Sequence, residues 1–577
     1  MVRHHPILKR RAGVLVPLSS ILTKNSFECG DIASLVPLAH FAKEAGFSLL
    51  QLLPLNDTGI DTSPYSAISA FAIDPIYISL HALGVQITSR REKIASQRIN
   101  HFRIRELKLI EIRKIFESDK TKNTNTALQF LSNFPWAYGY SAFRVLYDDY
   151  KGAEWSTWNK NHKEASKAKE EIFNTRKDEA LFYAFVQSIA FEQLKKAKEE
   201  LELIGVYLKG DMPILTSRNS ADVWEYPEYF QLDLQAGAPP DAFSDDGQNW
   251  GFPILNWPNL RQTDFRWWRE RLEYLENFFH LFRIDHVIGM YRIWAIPVAE
   301  KTARKGWFSP QIGTSKEQFD EVNLNPEDFV KLDLIHEFRK DHYIFYWDFW
   351  KNESYQNLPE EIKRVFFPLS EHNLKLDEIT WNEAGEEILD AMDRFSRMIP
   401  CAEDLGAVPS FIRDSLKRRD MLGIDVVRWT RSLENGEYIP SKGYRETAIS
   451  VLSTHDTSLV FEWWNSLQGQ EKEYAENFFF ANTDEESFPK TNEEIALGLL
   501  EFAFSTNSLF SIQILQDLLY KDEYGITKDP SAHRVNIPGT EAETNWSYRF
   551  SMTIEDLISD KELIHNLRKL ITQADRI

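Results

Sequence analysis

About eight short, continuous apolar runs recur along the 577-residue chain, and they constrain its fold more than any other feature. The first two, residues 13–19 and 47–55, flank a segment with helical spacing that starts near Ser34, its expected N-cap, and ends at Gly46. Continuous rather than alternating apolar strands are typical of a parallel sheet covered on both faces. Eight such strands separated by helices predict an α/β fold, a closed (β/α)8 or TIM barrel.

Two long stretches between the runs lack a strand pattern and predict large, mainly helical insertions. A Gly-, Pro- and aromatic-rich loop at 236–257 is predicted to be a lid or a substrate groove, since long loops in compact domains are usually functional. The predicted division of the chain is a barrel start at 1–56, an insertion at 57–200, barrel at 201–300, a second insertion at 301–396 and barrel completion at 397–577.

Charge and composition exclude several classes of partner. The formal net charge of −20 opposes binding to nucleic acid, so a neutral substrate fits better. No stretch approaches the roughly 20 apolar residues that span a bilayer, and the N-terminus lacks an apolar signal core, so we expect no membrane partner and a cytoplasmic location. Cys29 and Cys401 are far apart in sequence, which indicates reduced thiols.

The run at residues 281–285 ends in charged side chains. The two-residue period of a strand places Arg283 and Asp285 on the same face. A guanidinium beside a carboxylate keeps that carboxylate ionised, which suits a nucleophile or a base. An ion pair that only caps the strand is the alternative at this point.

Two further acids follow apolar runs, Glu403 after residues 397–402 and Asp456 after residues 448–453. In a barrel the carboxyl ends of all strands meet at one mouth, where active sites lie. Retaining cleavage of a glycosidic bond needs one carboxylate nucleophile and one protonated carboxyl group, and Asp285 and Glu403 fit these roles. Asp456 is then the candidate that stabilises the transition state. We expect the pKa of Glu403 to exceed that of Asp285.

Three stretches resemble the signature of the 4-α-glucanotransferases, the amylomaltase or disproportionating-enzyme family (glycoside hydrolase family 77). They are Arg283-Ile284-Asp285-His286, Ala402-Glu403-Asp404-Leu405-Gly406 and Thr454-His455-Asp456. Shorter matches occur in the family's order over nearly the whole chain: Ser63-Pro64-Tyr65, Gly210-Asp211, Pro239-Pro240-Asp241-Ala242-Phe243-Ser244, Asn536 and Asn545-Trp546.

The resemblance implies a role for each matching residue. Asp285 is the implied nucleophile, Glu403 the acid/base and Asp456 the stabiliser of the transition state. The residues implied to line the substrate groove are Tyr65, Asp211, Asp241, Arg283, His455 and Asn536. The family has an inserted (β/α) barrel and needs no cofactor and no catalytic metal.

The resemblance also implies the partners, which are maltose, maltooligosaccharides and a glycogen-like glucan. Val287, Ile288 and Thr457 look closer to the cytosolic plant-type branch, which moves glucosyl units from maltose to glycogen-like acceptors. We expect no N-terminal starch-binding module, although that branch usually carries one. The alternatives are an α-glucan hydrolase of the α-amylase group and a catalytically inactive glucan-binding protein.

Overall fold

Eight parallel strands form the centre of the protein. The computed structural model describes residues 5–86, 98–241, 244–432, 434–480, 489, 491–540 and 542–577. The strands are β1 (Arg11–Val16), β2 (Leu49–Leu52), β3 (Tyr207–Met212), β4 (Leu281–Ile284), β5 (Ile399–Ala402), β6 (Gly423–Val426), β7 (Ala448–Val451) and β8 (Phe510–Ile514).

Neighbouring strands pair in parallel in the order β5-β4-β3-β2-β1-β8-β7-β6. The two ends of this series meet, because Ala402 N–H donates to the Leu422 carbonyl at 2.7 Å and Cys401 forms a parallel bridge with Leu422. The strands are almost wholly buried, as expected when helices cover the outside and side chains fill the inside. The predicted (β/α)8 fold is therefore confirmed.

The α-helix between β1 and β2 starts directly after Ser34, as predicted, but the Ser34 side chain makes no capping hydrogen bond to it. A 3₁₀ turn, Ile32–Ser34, precedes the α-helix Leu35–Glu44, and Asp31 caps this turn by accepting a hydrogen bond from Ala33 N–H. The Ser34 hydroxyl instead accepts from the Asp31 N–H at 3.2 Å. Gly46, at φ +95°, ends the helix as predicted because a residue with a β-carbon is strained in that conformation.

The connections contain the remaining helices. The α-helices after Leu35–Glu44 are His101–Ser118, Lys120–Asn133, Trp136–Asp149, Lys160–Lys163, Ala165–Thr175, Lys177–Ile204, Ala221–Glu225, Trp257–Gln262, Arg266–Leu275, Lys316–Glu321, Pro326–Lys331, Glu353–Gln356, Glu360–Phe395, Ser410–Arg418, Val460–Ser466, Gly469–Phe480, Asn492–Ser505, Leu515–Leu518, Ile554–Ser559 and Lys561–Gln573. Within the described residues, no helix combines the length and apolar character needed to cross a membrane.

The second insertion and the long loop before β4 contain more strand than predicted. An antiparallel sheet joins the two regions through Gln248–Asn249, Leu234–Ala238, Ile293–Pro297 and Trp307–Ser309, in that order. A second sheet orders Thr314–Ser315, His342–Phe345 and Ile335–Arg339, and Phe230–Gln231 pairs with Ile254–Leu255. Except for Ile293–Pro297, these short strands lack the continuous apolar runs by which the barrel strands are recognised. The predicted domain boundaries stay predictions.

Buried ion pairs attach the first helical insertion to the loop that follows β2. Arg105, on the helix His101–Ser118, donates from Nε to Asp74 Oδ1 at 3.0 Å, and both side chains are almost fully buried. Nearby, Asp57 accepts a 2.6 Å hydrogen bond from the Tyr140 hydroxyl and pairs with Arg144 at 3.4 Å. Because a buried charge left without its partner is costly, each pair ties the helices to one position on the barrel.

Both cysteines are buried and free, Cys29 beneath the loops and Cys401 in β5. Burial raises the pKa of each thiol to about 11. Thiols that stay protonated are poor nucleophiles, so Cys401 is a packing residue even though it lies two positions before Glu403.

We predict that Asp74→Asn lowers the free energy of unfolding by about 3 kcal/mol at pH 7, because Arg105 loses its buried counter-charge. Burial raises the pKa of Asp74, but the charge and hydrogen bond of Arg105 outweigh burial and lower this pKa below its ordinary value. The pair therefore stabilises the fold above the unfolded pKa, and the difference between variant and parent should shrink as the pH falls below about 4. Urea unfolding at several pH values measures both effects.

Asp264→Asn is the matched control. Asp264 pairs with Arg269 at 3.2 Å, but both side chains are exposed, so its loss should change the free energy of unfolding by less than about 0.5 kcal/mol. Equal effects of the two substitutions would contradict the view that the Asp74 pair anchors the insertion.

Candidate active site

The three predicted catalytic acids lie just beyond the carboxyl ends of barrel strands. Asp285 directly follows β4, Glu403 directly follows β5, and Asp456 lies five residues beyond β7. Asp285 N–H donates to the Met212 carbonyl at the end of β3 at 3.2 Å, which holds it at the rim of the barrel. The side chains of Asp285 and Asp456 are 26% and 42% exposed, so both open to the mouth of the barrel.

The Arg283 guanidinium joins the acids. Its Nη1 donates to Asp211 at 2.9 and 3.0 Å and pairs with Asp285 Oδ1 at 2.5 Å. Its Nη2 lies 3.8 Å from Glu403 Oε2. Asp211 lies within β3, directly opposite Arg283 in β4. A single buried cation therefore faces three carboxylates, and the carboxylates near it can stay ionised in spite of their burial.

A chain of hydrogen bonds links this cluster to the third acid. The Tyr65 hydroxyl donates to Asp211 Oδ2 at 2.9 Å and lies 2.9 Å from His455 Nε2. His455 Nε2 lies 3.2 Å from Asp456 Oδ2, and Asn536 Nδ2 donates to Asp456 Oδ1 at 2.7 Å. The ring of Tyr65 also stacks on that of His455, with centroids 5.6 Å apart. Tyr65 thus orients groups from both sides of the barrel mouth.

Backbone donors fix the Glu403 carboxyl group. His286 N–H donates to its Oε2 at 2.9 Å, and Leu405 N–H donates to its Oε1 at 3.0 Å. His286 has a φ of +48°, which turns the chain sharply after Asp285 and directs its N–H toward Glu403. The turn that follows β4 therefore helps to hold the Glu403 carboxyl group.

The pKa values of Asp285 and Glu403 both lie above their ordinary values. Burial raises the pKa of Asp285 to about 6; the charge of Arg283 opposes this, and those of Asp211 and Glu403 add to it. Burial also raises the pKa of Glu403, against the effects of Arg283 and of the N–H groups of Leu405 and His286. Two carboxyl groups that face one guanidinium titrate as a coupled pair. The pair can therefore hold one proton near neutral pH.

The pKa of the third acid, Asp456, lies below its ordinary value. Burial raises this pKa, but the charge and hydrogen bond of His455 and the hydrogen bond of Asn536 outweigh burial and lower it to about 2. Burial alone would lower the pKa of His455, but Asp456 outweighs it and raises that pKa. Asp456 is thus a carboxylate that stays ionised at neutral pH, and it favours the protonated form of His455.

The ninth predicted site residue, Asp241, is exposed in the loop before β4. Its carboxylate accepts a hydrogen bond from Ser244 N–H at 2.9 Å. Its motif neighbours Ala242 and Phe243 lie outside the described residues. Contact between Asp241 and a substrate stays a prediction.

Two tryptophans of the loop at 236–257 take different places. The ring of Trp250 lies edge-on to that of His286, the residue after Asp285, with centroids 5.0 Å apart. Trp257 is partly buried, stacks on the buried Trp268 and packs against the core.

Trp546 lies in the site, although its motif in the sequence predicts no role for it. Its ring packs against Tyr65 and His455, with centroids 5.5 and 5.9 Å away. Its φ of +60° is rare for a bulky residue and marks a position that the surrounding structure enforces. No pattern in the sequence signals this conformation, because it depends on contacts between segments almost 500 positions apart.

Comparison with known proteins gives the same family as the motifs. A family model described as 4-alpha-glucanotransferase matches residues 16–553. A 4-alpha-glucanotransferase from Chlamydia pneumoniae is 30% identical over 97% of this chain and 95% of its own length. A 4-alpha-glucanotransferase from Oryza sativa subsp. japonica is 29% identical over 98% of this chain and 70% of its own length.

Among solved structures, an amylomaltase from Streptococcus agalactiae in complex with acarbose superposes with a TM-score of 0.74 at 23% identity, over 98% of this chain and all of that one. The amylomaltase from Corynebacterium glutamicum gives a TM-score of 0.66 at 18% identity, over 97% of this chain and 75% of that one. At these identities the structures support the fold. Together with the family model and the sequence relatives, they place this chain in the 4-α-glucanotransferase family, as its motifs predict.

Proposed function

We propose that the protein is a retaining 4-α-glucanotransferase. It moves a glucosyl or maltooligosyl segment from an α-1,4-linked donor, such as maltose or a maltooligosaccharide, to the 4-OH of an acceptor glucan. The observation that carries the proposal is the pair of carboxyl groups, Asp285 and Glu403, at adjacent strand ends on one guanidinium, with the ionised Asp456 facing the same mouth.

In the first half-reaction Asp285 is the nucleophile and Glu403 the acid. A carboxylate oxygen of Asp285 bonds to C1 of the donor sugar while the C1–O bond to the leaving chain breaks. The Glu403 carboxyl proton passes to the departing oxygen. Arg283 stabilises the ionised form of Asp285, so the proton that the two carboxyl groups share belongs on Glu403.

In the second half-reaction Glu403, now ionised, takes the proton from the acceptor 4-OH. The acceptor oxygen bonds to C1, and the bond between C1 and Asp285 breaks. In both half-reactions positive charge develops on the sugar ring, and the ionised Asp456, held by His455 and Asn536, stabilises it.

Transfer requires that a sugar hydroxyl attacks before water does. An acceptor bound in the right orientation has a large effective concentration at C1. Trp250, which lies beside His286 at the nucleophile, supports a role for the loop at 236–257 in covering the sugar and excluding water. A glycogen-like acceptor and a cytoplasmic location are part of the proposal, by the resemblance to the plant-type branch.

Incubation with maltotriose tests the reaction. We expect a ladder of shorter and longer oligosaccharides, while the concentration of reducing ends stays constant, because each transfer makes one glycosidic bond for each bond it breaks. Chromatography of the products and a reducing-end assay measure the two quantities. A rise in reducing ends without longer products would identify a hydrolase instead.

Asp285→Asn should lower kcat on the order of 10⁴-fold or more, because an amide cannot form the covalent intermediate. Glucan affinity, measured by calorimetry with maltotriose, should stay close to that of the parent protein. Asp264→Asn is the control and should keep full activity, because Asp264 is exposed and pairs with Arg269 rather than with a residue of the site. An active Asp285→Asn enzyme would remove this residue from its role.

We expect kcat/KM to fall about tenfold per pH unit below about pH 6, because Asp285 has a raised pKa of about 6 and reacts only when ionised. Asp211→Asn removes a like charge beside Asp285 and leaves Arg283 free to pair with it. The pKa of Asp285 should then fall and the acid limb should move to lower pH. An acid limb that stays in place, or moves upward, would contradict this assignment.

A further inference from the structure

We infer that Arg445, together with Asp404 and Asp425, positions the Glu403 carboxyl group for proton transfer. Arg445 lies in the connection between β6 and β7 and contacts neither Asp285 nor Glu403 in the hydrogen bonds and ion pairs of the described residues. It therefore acts through Asp404, the residue next to Glu403 in the chain. The inference rests on the proposed role of Glu403 as acid and base.

Asp404 is held at both of its carboxylate oxygens. Oδ1 accepts a hydrogen bond from Ile424 N–H in β6 at 2.8 Å, and Oδ2 accepts one from Arg445 Nη1 at 2.8 Å. The side chain is 1% exposed. Since a buried carboxylate needs this full set of donors, Asp404 has one position relative to β6.

Arg445 is itself held by a second carboxylate. Its Nη2 donates to Asp425 Oδ1 at 2.6 Å, its Nε donates to the same oxygen at 3.1 Å, and Nη2 also reaches the Ile424 carbonyl at 3.3 Å. Such a fork of donors between two carboxylates is a geometry that arginine provides and lysine does not.

Gly423 leaves the space in which this guanidinium lies. A β-carbon at Gly423 would come within 2.7 Å of both Arg445 Nη2 and Asp404 Oδ2. The atoms it would meet are the ends of side chains, so an alanine there displaces the ion pair rather than the backbone of β6.

The position of Asp404 determines where Glu403 lies. Glu403 N–H donates to the Ile284 carbonyl at 3.0 Å, so the residue is fixed to β4 on one side. On the other side, the Leu405 N–H that donates to Glu403 Oε1 belongs to the peptide bond that follows Asp404. A shift of Asp404 moves this donor and turns the Glu403 carboxyl group away from the glycosidic oxygen.

Asp404 also acts on Glu403 through its charge. The charge of Asp404 raises the pKa of Glu403. Its effect is smaller than those of burial, of Arg283 and of the two backbone donors. Arg445 therefore fixes the direction of the acid through Asp404, while the charge of Asp404 itself favours the protonated form of Glu403.

A donor with a better leaving group separates these effects from the rest of the reaction. With α-maltosyl fluoride, the C1–F bond breaks and fluoride leaves without needing a proton from Glu403, while Asp285 still bonds to C1. Azide then bonds to C1 and displaces Asp285 without needing a base. Formation of α-maltosyl azide therefore needs Asp285 but not Glu403.

The experiment measures two rates in the Arg445→Met variant. The first is the rate of maltotriose disproportionation, and the second is the rate of α-maltosyl azide formation. We expect the first to fall about 10- to 100-fold, because misplacing an acid by a fraction of an ångström loses most of its contribution. The second should stay within roughly twofold of the parent rate. Gly423→Ala should have the same effect as Arg445→Met, with slower disproportionation and an almost unchanged rate of azide formation. Arg445→Lys should retain part of the disproportionation rate that Arg445→Met loses.

Arg261→Met is the matched control. Arg261 pairs with Glu387 at 2.7 Å, and its side chain is 35% exposed against 37% for Arg445. Both rates should stay at the parent level in this control. If Arg445→Met lowers both rates equally, or lowers neither, the inference is wrong.

Glu403→Gln separates failure of this inference from failure of the proposed function. It should abolish disproportionation and keep azide formation. If it loses both reactions or neither, the proposed role of Glu403 itself is wrong. A second readout is the basic limb of kcat/KM for maltotriose, which should move to lower pH in Asp404→Asn because one like charge beside Glu403 is gone.

Discussion

The Arg283 guanidinium is the interaction on which the rest of the site depends. It is buried, and three carboxylates, Asp211, Asp285 and Glu403, face it. Without this cation, three acids at adjacent strand ends would repel one another and take up protons, since each is removed from water. With it, they can stay close together and still differ in protonation, and this difference is what a nucleophile and an acid require.

The barrel makes this arrangement possible because it brings parallel strands together with their carboxyl ends on one side. Asp211 and Arg283 lie opposite each other in the register of β3 and β4, and Glu403 follows β5, which pairs with β4 on its other side. The site also extends across the barrel mouth through Tyr65 and His455 to Asp456. Buried ion pairs also tie the first helical insertion to the loop that follows β2, which fixes this insertion to the barrel that carries the acids.

The hydrogen bonds around Glu403 fix the position of its carboxyl group. Its carboxyl group is held by N–H donors from two segments, the turn at His286 and the peptide after Asp404. Asp404 is in turn held by β6 and by Arg445, whose connection leads to β7. The position of the Glu403 carboxyl group is thus fixed from two sides, by the turn after β4 and by the Asp404–Arg445 ion pair.

The sequence by itself determined the barrel, through its continuous apolar runs, and the acids Asp285, Glu403 and Asp456, through their places after those runs and in family motifs. It also placed Arg283 beside Asp285, because a strand has a period of two. It did not determine the short strands around residues 230–345, the left-handed turns at His286 and Trp546, or the network of Asp404, Arg445 and Asp425. Those features depend on contacts between segments distant in the chain, where neither local propensity nor periodicity carries information, so only the tertiary structure decided them.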